Sequence, residues 1–212
     1  MSDLRMESNI RISKAITVET QGAKSMSMNY KISDTDFSEH NLTLNIGKSF
    51  ILKAMTGAYG YAFPVVSYIG IGRSTFPGGG SPAASAITAE GLSDPNPLYV
   101  SIGSPVYRKL AESDSYPTSA EYDIYIVGKP EVFDHFKSGS EQLSIGEIGL
   151  FFNTTDPDDS WGIHNGDGGK LPYTIWARDN IIEKTGSPIV LTRSNTPGVY
   201  KAYNIKWTIF VR

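Results

Sequence analysis

The stretch SIGEIGLFFNTTDPDDSWG, Ser144 to Gly162, sets an apolar run against an acidic, turn-rich one. Ile145, Ile148, Leu150, Phe151 and Phe152 stand on one side of Asn153; Asp156, Asp158 and Asp159 stand on the other. A short apolar run bounded by turn residues reads as a buried strand. The polar half reads either as an ion or catalytic site or as the tip of a hairpin. With Asp167 and His164 close by in sequence, its carboxylates are the hard oxygen ligands that calcium takes. The spacing misses the EF-hand loop, however, because no Gly stands at its sixth position and no Glu closes it. Pro157 with Gly162, Gly166, Gly168 and Gly169 makes a long polar loop the economical reading.

Outward from that stretch, the 212 residues suit one domain, with room for a small second unit. Hydrophobic residues at 40% and charged residues at 19% provide a real core and argue against global disorder. The net charge is −3 and no run of Lys or Arg occurs, so no nucleic-acid partner held through phosphates is expected. The start MSDLRMESNIRISK lacks the apolar stretch of a signal peptide, and no window approaches a membrane span. Synthesis in the cytoplasm, with no membrane partner, is the expectation. Without cysteine there is no disulfide framework and no thiolate.

The period of the apolar residues changes along the chain. NIRISKAITVET alternates Ile10 and Ile12 and then, after a slip, Ile16 and Val18, as a strand or pairing arm does. In NIGKSFILKAMTGAYG, Ile46, Phe50 and Ala54, with Ile51 and Met55, recur at helical spacing. A helix over about 45–57 follows, capped by Asn45 and ended by Gly57. Period two then returns in FPVVSYIGIG, PLYVSIGSPVYRKL, SAEYDIYIVGK, IGEIGLFF, LPYTIWAR, PIVLTR and NIKWTIFVR. STFPGGGSPAASA, Ser74 to Ala86, is a Pro/Gly/Ser loop, and PEVFDHFKSGS reads as a turn of helix. The predicted fold is mainly β, an antiparallel β-sandwich with one packed α-helix at about 45–57. Residues 1–44 form an N-terminal arm or extension, and 45–212 a single domain.

No constellation of catalytic residues stands out. Gly166 to Lys170 fails as a phosphate loop because Leu171 and a proline follow where a hydroxyl and a helix belong. GIGRSTFPGGG has no helix to complete a dinucleotide turn. His40, His135 and His164 are dispersed and match no zinc pattern. There is no Gly-x-Ser-x-Gly elbow. No catalytic, cofactor-binding or metal residue is assigned and no cofactor is expected.

The helix, then VVSYIGIGRST, then IGEIGLFF, a hairpin, LPYTIWARDNIIEKTGSPIVLTR and a closing IKWTIFVR resemble a module of tailed-bacteriophage virion proteins. In tail-collar fibre proteins and related tail or neck proteins, a similar helix precedes such a strand. The matching positions here are Tyr68 to Thr75, Ile145 to Phe152, Ile175 to Arg178, Lys184 and Trp207 to Phe210, within residues 45–212. The departures are the enlarged loop after Ser74, the acidic hairpin 153–172, and the absence of a long fibre after residue 212. The resemblance implies a non-enzymatic structural protein used in many copies around a tail, neck/collar or baseplate. Its partners would be other phage structural proteins and further copies of itself in a symmetric ring. It makes the acidic hairpin a contact surface rather than a metal site. Segments 8–20, 76–86 and 153–170 are the expected contact regions. The competing reading is a receptor- or carbohydrate-binding fibre or tail-tip protein, carried by Trp161 among polar residues.

Overall fold

The computed structural model describes residues 6–19, 33–45, 47, 48, 51, 52, 65–84, 86, 88–109, 112, 116–153, 174–194, 196 and 199–211. Among these residues the strands are β1 (Met6–Glu19), β2 (Ser33–Thr43), β3 (Val66–Arg73), β4 (Leu98–Ser101), β5 (Val106–Arg108) and β6 (Ser119–Val127). They continue as β7 (Gln142–Phe152), β8 (Ile175–Asn180), β9 (Ile189–Thr192) and β10 (Val199–Val211). The strand registers are antiparallel. The class is mainly β with antiparallel sheets and a helix in the N-terminal half, in keeping with the predicted sandwich type. No helix among the described residues is long and apolar enough to cross a membrane.

Contacts divide the chain into two compact units built from interleaved stretches. The first holds Met1–His40, Gly103–Ser144 and Ile189–Arg212; the second holds Asn41–Ile102 and Ile145–Pro188. This division differs from the expected arm 1–44 and single domain 45–212. Strand pairing gives the reason, because the N-terminal strand and the C-terminal strand are neighbours.

In the first unit the sheet runs β1-β10-β6-β5. On β10, Ile205 and Trp207 are fully buried and lie opposite Ile124 and Tyr122 of β6, which are also buried. On its other side β10 pairs Ile205 with Ile12 and Trp207 with Ile10. The predicted arm is therefore a strand of this chain's own sheet. The slip in its alternation falls at the register shift between Lys14 and Thr17, after which Thr17 rather than Ile16 continues the row of Ile10 and Ile12, opposite Lys201, since a bulge inserts one residue and exchanges the two faces. Ile209, two residues on from Trp207, is only half-buried.

PEVFDHFKSGS does carry the expected helical turn, Pro130–His135. Pro130 suits a first turn whose N–H groups have no helical partner. The turn ends with Ser138 N–H donating to Phe133 O and Lys137 N–H to Asp134 O, while Lys137 takes φ 51. Two 5→2 and 6→1 bonds of this kind close a helix through a left-handed residue.

In the second unit the sheet runs β4-β3-β7-β8, with Leu42 and Thr43 of β2 beside Arg178 and Ala177. The register sets Ile69 and Ile71 beside Leu150 and Ile148, and these beside Ala177 and Asp179. The alternate positions line up as Gly70 and Gly72, Gly149 and Glu147, Arg178 and Asn180. From Ile145 to Phe152 every residue of β7 is buried, so this strand is covered on both faces. The expected helix begins at Leu44, whose carbonyl accepts from Lys48 N–H at 3.1 Å; Asn45 lies inside the first turn rather than capping it. A Cβ on Gly47 would stand 2.7 Å from Trp176 O, so the helix lies directly against β8. Gly57, its expected end, is outside the described residues. A second short helix, Ile181–Thr185, follows β8 without having been foreseen. Asn180 starts it by accepting from Glu183 N–H, and Gly186 at φ 74 ends it.

Ile148 has no exposed surface. Replacing it with Ala is expected to lower the unfolding free energy by about 2–5 kcal/mol in urea titration. A loss no larger than that of an ordinary surface change, about 0.5 kcal/mol, contradicts this placement.

Candidate functional site

On the face of the second unit's sheet that carries Glu147, glycine leaves space for charge. A Cβ on Gly72 would lie 2.6 Å from both Cγ and Oε1 of Glu147. On the neighbouring strand, a Cβ on Gly146 would lie 2.6 Å from Ser74 Cα and 2.9 Å from Pro82 Cγ. The first glycine admits the carboxylate, and the second lets the segment after β3 cross β7 at backbone distance.

Into this space run four charged side chains. Arg178 donates from Nε at 3.0 Å and from Nη2 at 2.8 Å to Glu147 Oε2. Its Nη2 also reaches Ala83 O at 3.0 Å and Ser93 Oγ at 2.7 Å. Glu147 Oε1 accepts from Asp94 N–H at 2.7 Å. The Asp94 carboxylate in turn accepts from Arg73 Nε at 2.7 Å and Nη2 at 2.7 Å, Arg73 N–H at 2.9 Å and Asn96 N–H at 3.0 Å. Asn180 Nδ2 adds a second donor to Ala83 O at 2.9 Å, and Ser93 Oγ accepts from Ala83 N–H at 2.9 Å. Glu147, Arg178, Asp94 and Asn180 are all buried. Charges so deprived of water persist only when paired and hydrogen-bonded. Each carboxylate oxygen here receives at least one donor.

At a register position alternate to Arg178, Asp179 is fully buried and meets Lys184 Nζ at 2.9 Å. Lys184 arrives from the short helix that Asn180 caps. The turn after β8 thus places a cation within reach of the strand it has just left. Earlier on the same strand Trp176 is buried and packs at 5.8 Å against Phe152, and among the described residues its Nε1 finds no hydrogen-bond partner.

Chemically the arrangement holds a segment in place. Burial raises the Asp94 carboxyl, but hydrogen bonds from the Arg73 side chain and from Arg73 and Asn96 N–H, with the guanidinium charge, outweigh it and lower the group below its ordinary 3.8. In the first unit, burial, with Tyr107 nearby, pushes the Tyr122 hydroxyl up to about 12, so it stays a neutral phenol.

Asp156, Asp158, Asp159, Trp161, His164, Asp167 and the Gly166–Lys170 stretch lie outside the described residues. His40 falls in β2, and His135 stacks edge-on against Phe136 at 4.9 Å. Among the described residues no group of three His, Asp or Glu is gathered as metal ligands. The segment 76–86, expected to be a flexible contact loop, is tied down through Ala83 and closes a turn in which Phe76 N–H donates to Gly80 O at 2.9 Å. The clamp itself was missed. Its signal was present as charges inside strands, Glu147 in the apolar run of β7 and Arg178 beside Asp179 in β8, since such charges require partners when buried. No family model, no curated protein and no solved structure matches this chain.

Removing one partner of the Glu147–Arg178 pair leaves the other buried and uncompensated. Glu147→Ala is expected to cost about 3–5 kcal/mol of stability, read from urea unfolding. Acid acts on the same clamp. Because the folded Asp94 carboxyl lies below its unfolded value, its stabilisation is fully present above the ordinary value of 3.8. It is lost as the pH falls from there through the depressed folded value. Urea midpoints measured from about pH 5 down to pH 2 should fall less steeply for Asp94→Asn than for the native chain.

Proposed function

We propose that this chain is a non-enzymatic structural component of a tailed-phage virion, a ring-forming or adaptor protein of the tail, neck/collar or baseplate that anchors fibres. The reading rests on the resemblance over residues 45–212. The observation that carries it is the use made of the resembling residues. Gly72, Glu147, Arg178 and Lys184 all belong to packing or to buried ion pairs. A motif whose polar members hold a sheet and its covering segment together is a motif of architecture.

The partners are other phage structural proteins and further copies of this chain. Support comes from β5, an edge strand of its sheet only three residues long. Val106 and Tyr107 on it are exposed, as is Tyr116 in the connection to β6. Exposed edges with aromatic side chains suit contact with a neighbour, which removes the hazard of an open edge.

Quantitative mass spectrometry of purified virions, from a phage that encodes this chain, tests the proposal. The protein is expected in multiple copies per particle and at constant ratio to the tail proteins. Its absence from washed virions overturns the reading, and turnover of a polysaccharide by the purified chain overturns the non-enzymatic part.

A further inference from the structure

Residues 74–97, between β3 and β4, have no regular secondary structure among the described positions apart from the Phe76–Gly80 bridge. A segment of this length without helix or strand usually has a role of its own. Among the described residues its backbone–backbone hydrogen bonds are internal: Phe76 N–H to Gly80 O, Gly79 N–H to Phe76 O and Ala89 N–H to Ala86 O. The bonds that bind it to the sheet run through the side chains of Arg73, Glu147, Arg178 and Asn180. Beneath it, Leu92 and Ala89 pack on the cluster of Leu44, Phe151 and Ile175. The ladder of β3, β7 and β8 is made strand to strand, without the segment's backbone.

The two attachments therefore differ in kind. The sheet is held by a backbone ladder, whereas the polar attachments of the segment are a few side chains gathered at Asp94, Ser93 and Ala83. We propose that residues 74–97 are a strap latched by the Arg73–Asp94–Glu147–Arg178 clamp, which opens as one unit and bares Phe151 while β3, β7 and β8 remain paired. The strap is then a cooperative element separate from the sheet it covers, of the kind that opens below the free energy of global unfolding. Because Ser93 and Asp94 are adjacent and Ser93 Oγ also receives Ala83 N–H, release at Asp94 reaches Ala83. The latch does not depend on the virion reading.

Residue-resolved hydrogen exchange by NMR on the full chain, native and Asp94→Asn, tests the strap. Asp94→Asn removes charge from the strap alone and leaves the Glu147–Arg178 pair in place. The amide of Ala83, far along the strap, is expected to exchange roughly 10- to 100-fold faster in the variant, the equivalent of one charged hydrogen bond lost. The amides of Ile148 and Leu150 should change by less than about twofold. In the native chain the same Ala83 opening should respond little to low urea, since a local opening exposes little surface. Acceleration confined to residues 94–96 overturns the single unit. Equal acceleration in β7, or none at Ala83, overturns the latch. If the variant does not fold, the native urea dependence decides: an Ala83 opening as steep in urea as that of Ile148 overturns it.

Discussion

Arg178 and Glu147 face each other across β7 and β8 with almost no access to water. Two charges in that position are costly unless every donor and acceptor between them is matched. The sheet strands alone do not match them. Glu147 Oε1 needs the Asp94 N–H, and the guanidinium needs Ala83 O and Ser93 Oγ. The segment 74–97 is thus required by the charges beneath it. Asp94 brings a third charge, which Arg73 at the end of β3 neutralises.

The same constraint explains the glycines. A carboxylate, a guanidinium and a crossing chain cannot share one face of a sheet with ordinary side chains. Gly72 yields to Glu147, and Gly146 yields to Ser74 and Pro82. At alternate positions Ile69, Ile71, Ile148 and Leu150 are fully buried. One strand, β7, therefore serves an ionic face and an apolar face at once. That is why its eight residues from Ile145 are all buried although two are glycine and one is glutamate.

This economy suits a building block. The clamp stabilises the sheet of the second unit, while in the first the short edge strand β5 exposes Tyr107. The strap adds a second kind of surface, closed while the clamp holds.

The apolar pattern was enough to find β3, β6, β7, β8, β9 and β10: burial of one face imposes period two in β6 and β9, whereas β7, buried on both faces, shows as a nearly unbroken apolar run. Helical spacing likewise located the helix at residue 45, with its start displaced by one position, since a carbonyl cap at Leu44 leaves no mark in side-chain chemistry. The two compact units are not divided at residue 44, because pairing of β1 with β10 joins residues far apart in the chain and no local pattern records that. The clamp was half-legible. Glu147 was visible as a charge in an apolar strand and Arg178 as one next to Asp179, but Asp94 and Ala83 stand in a loop whose composition resembles any polar connector. Local periodicity determines which faces are buried. Only the tertiary fold decided which loop supplies the donors and acceptors that buried charges demand, because that match is a matter of distance in space and not of spacing along the chain.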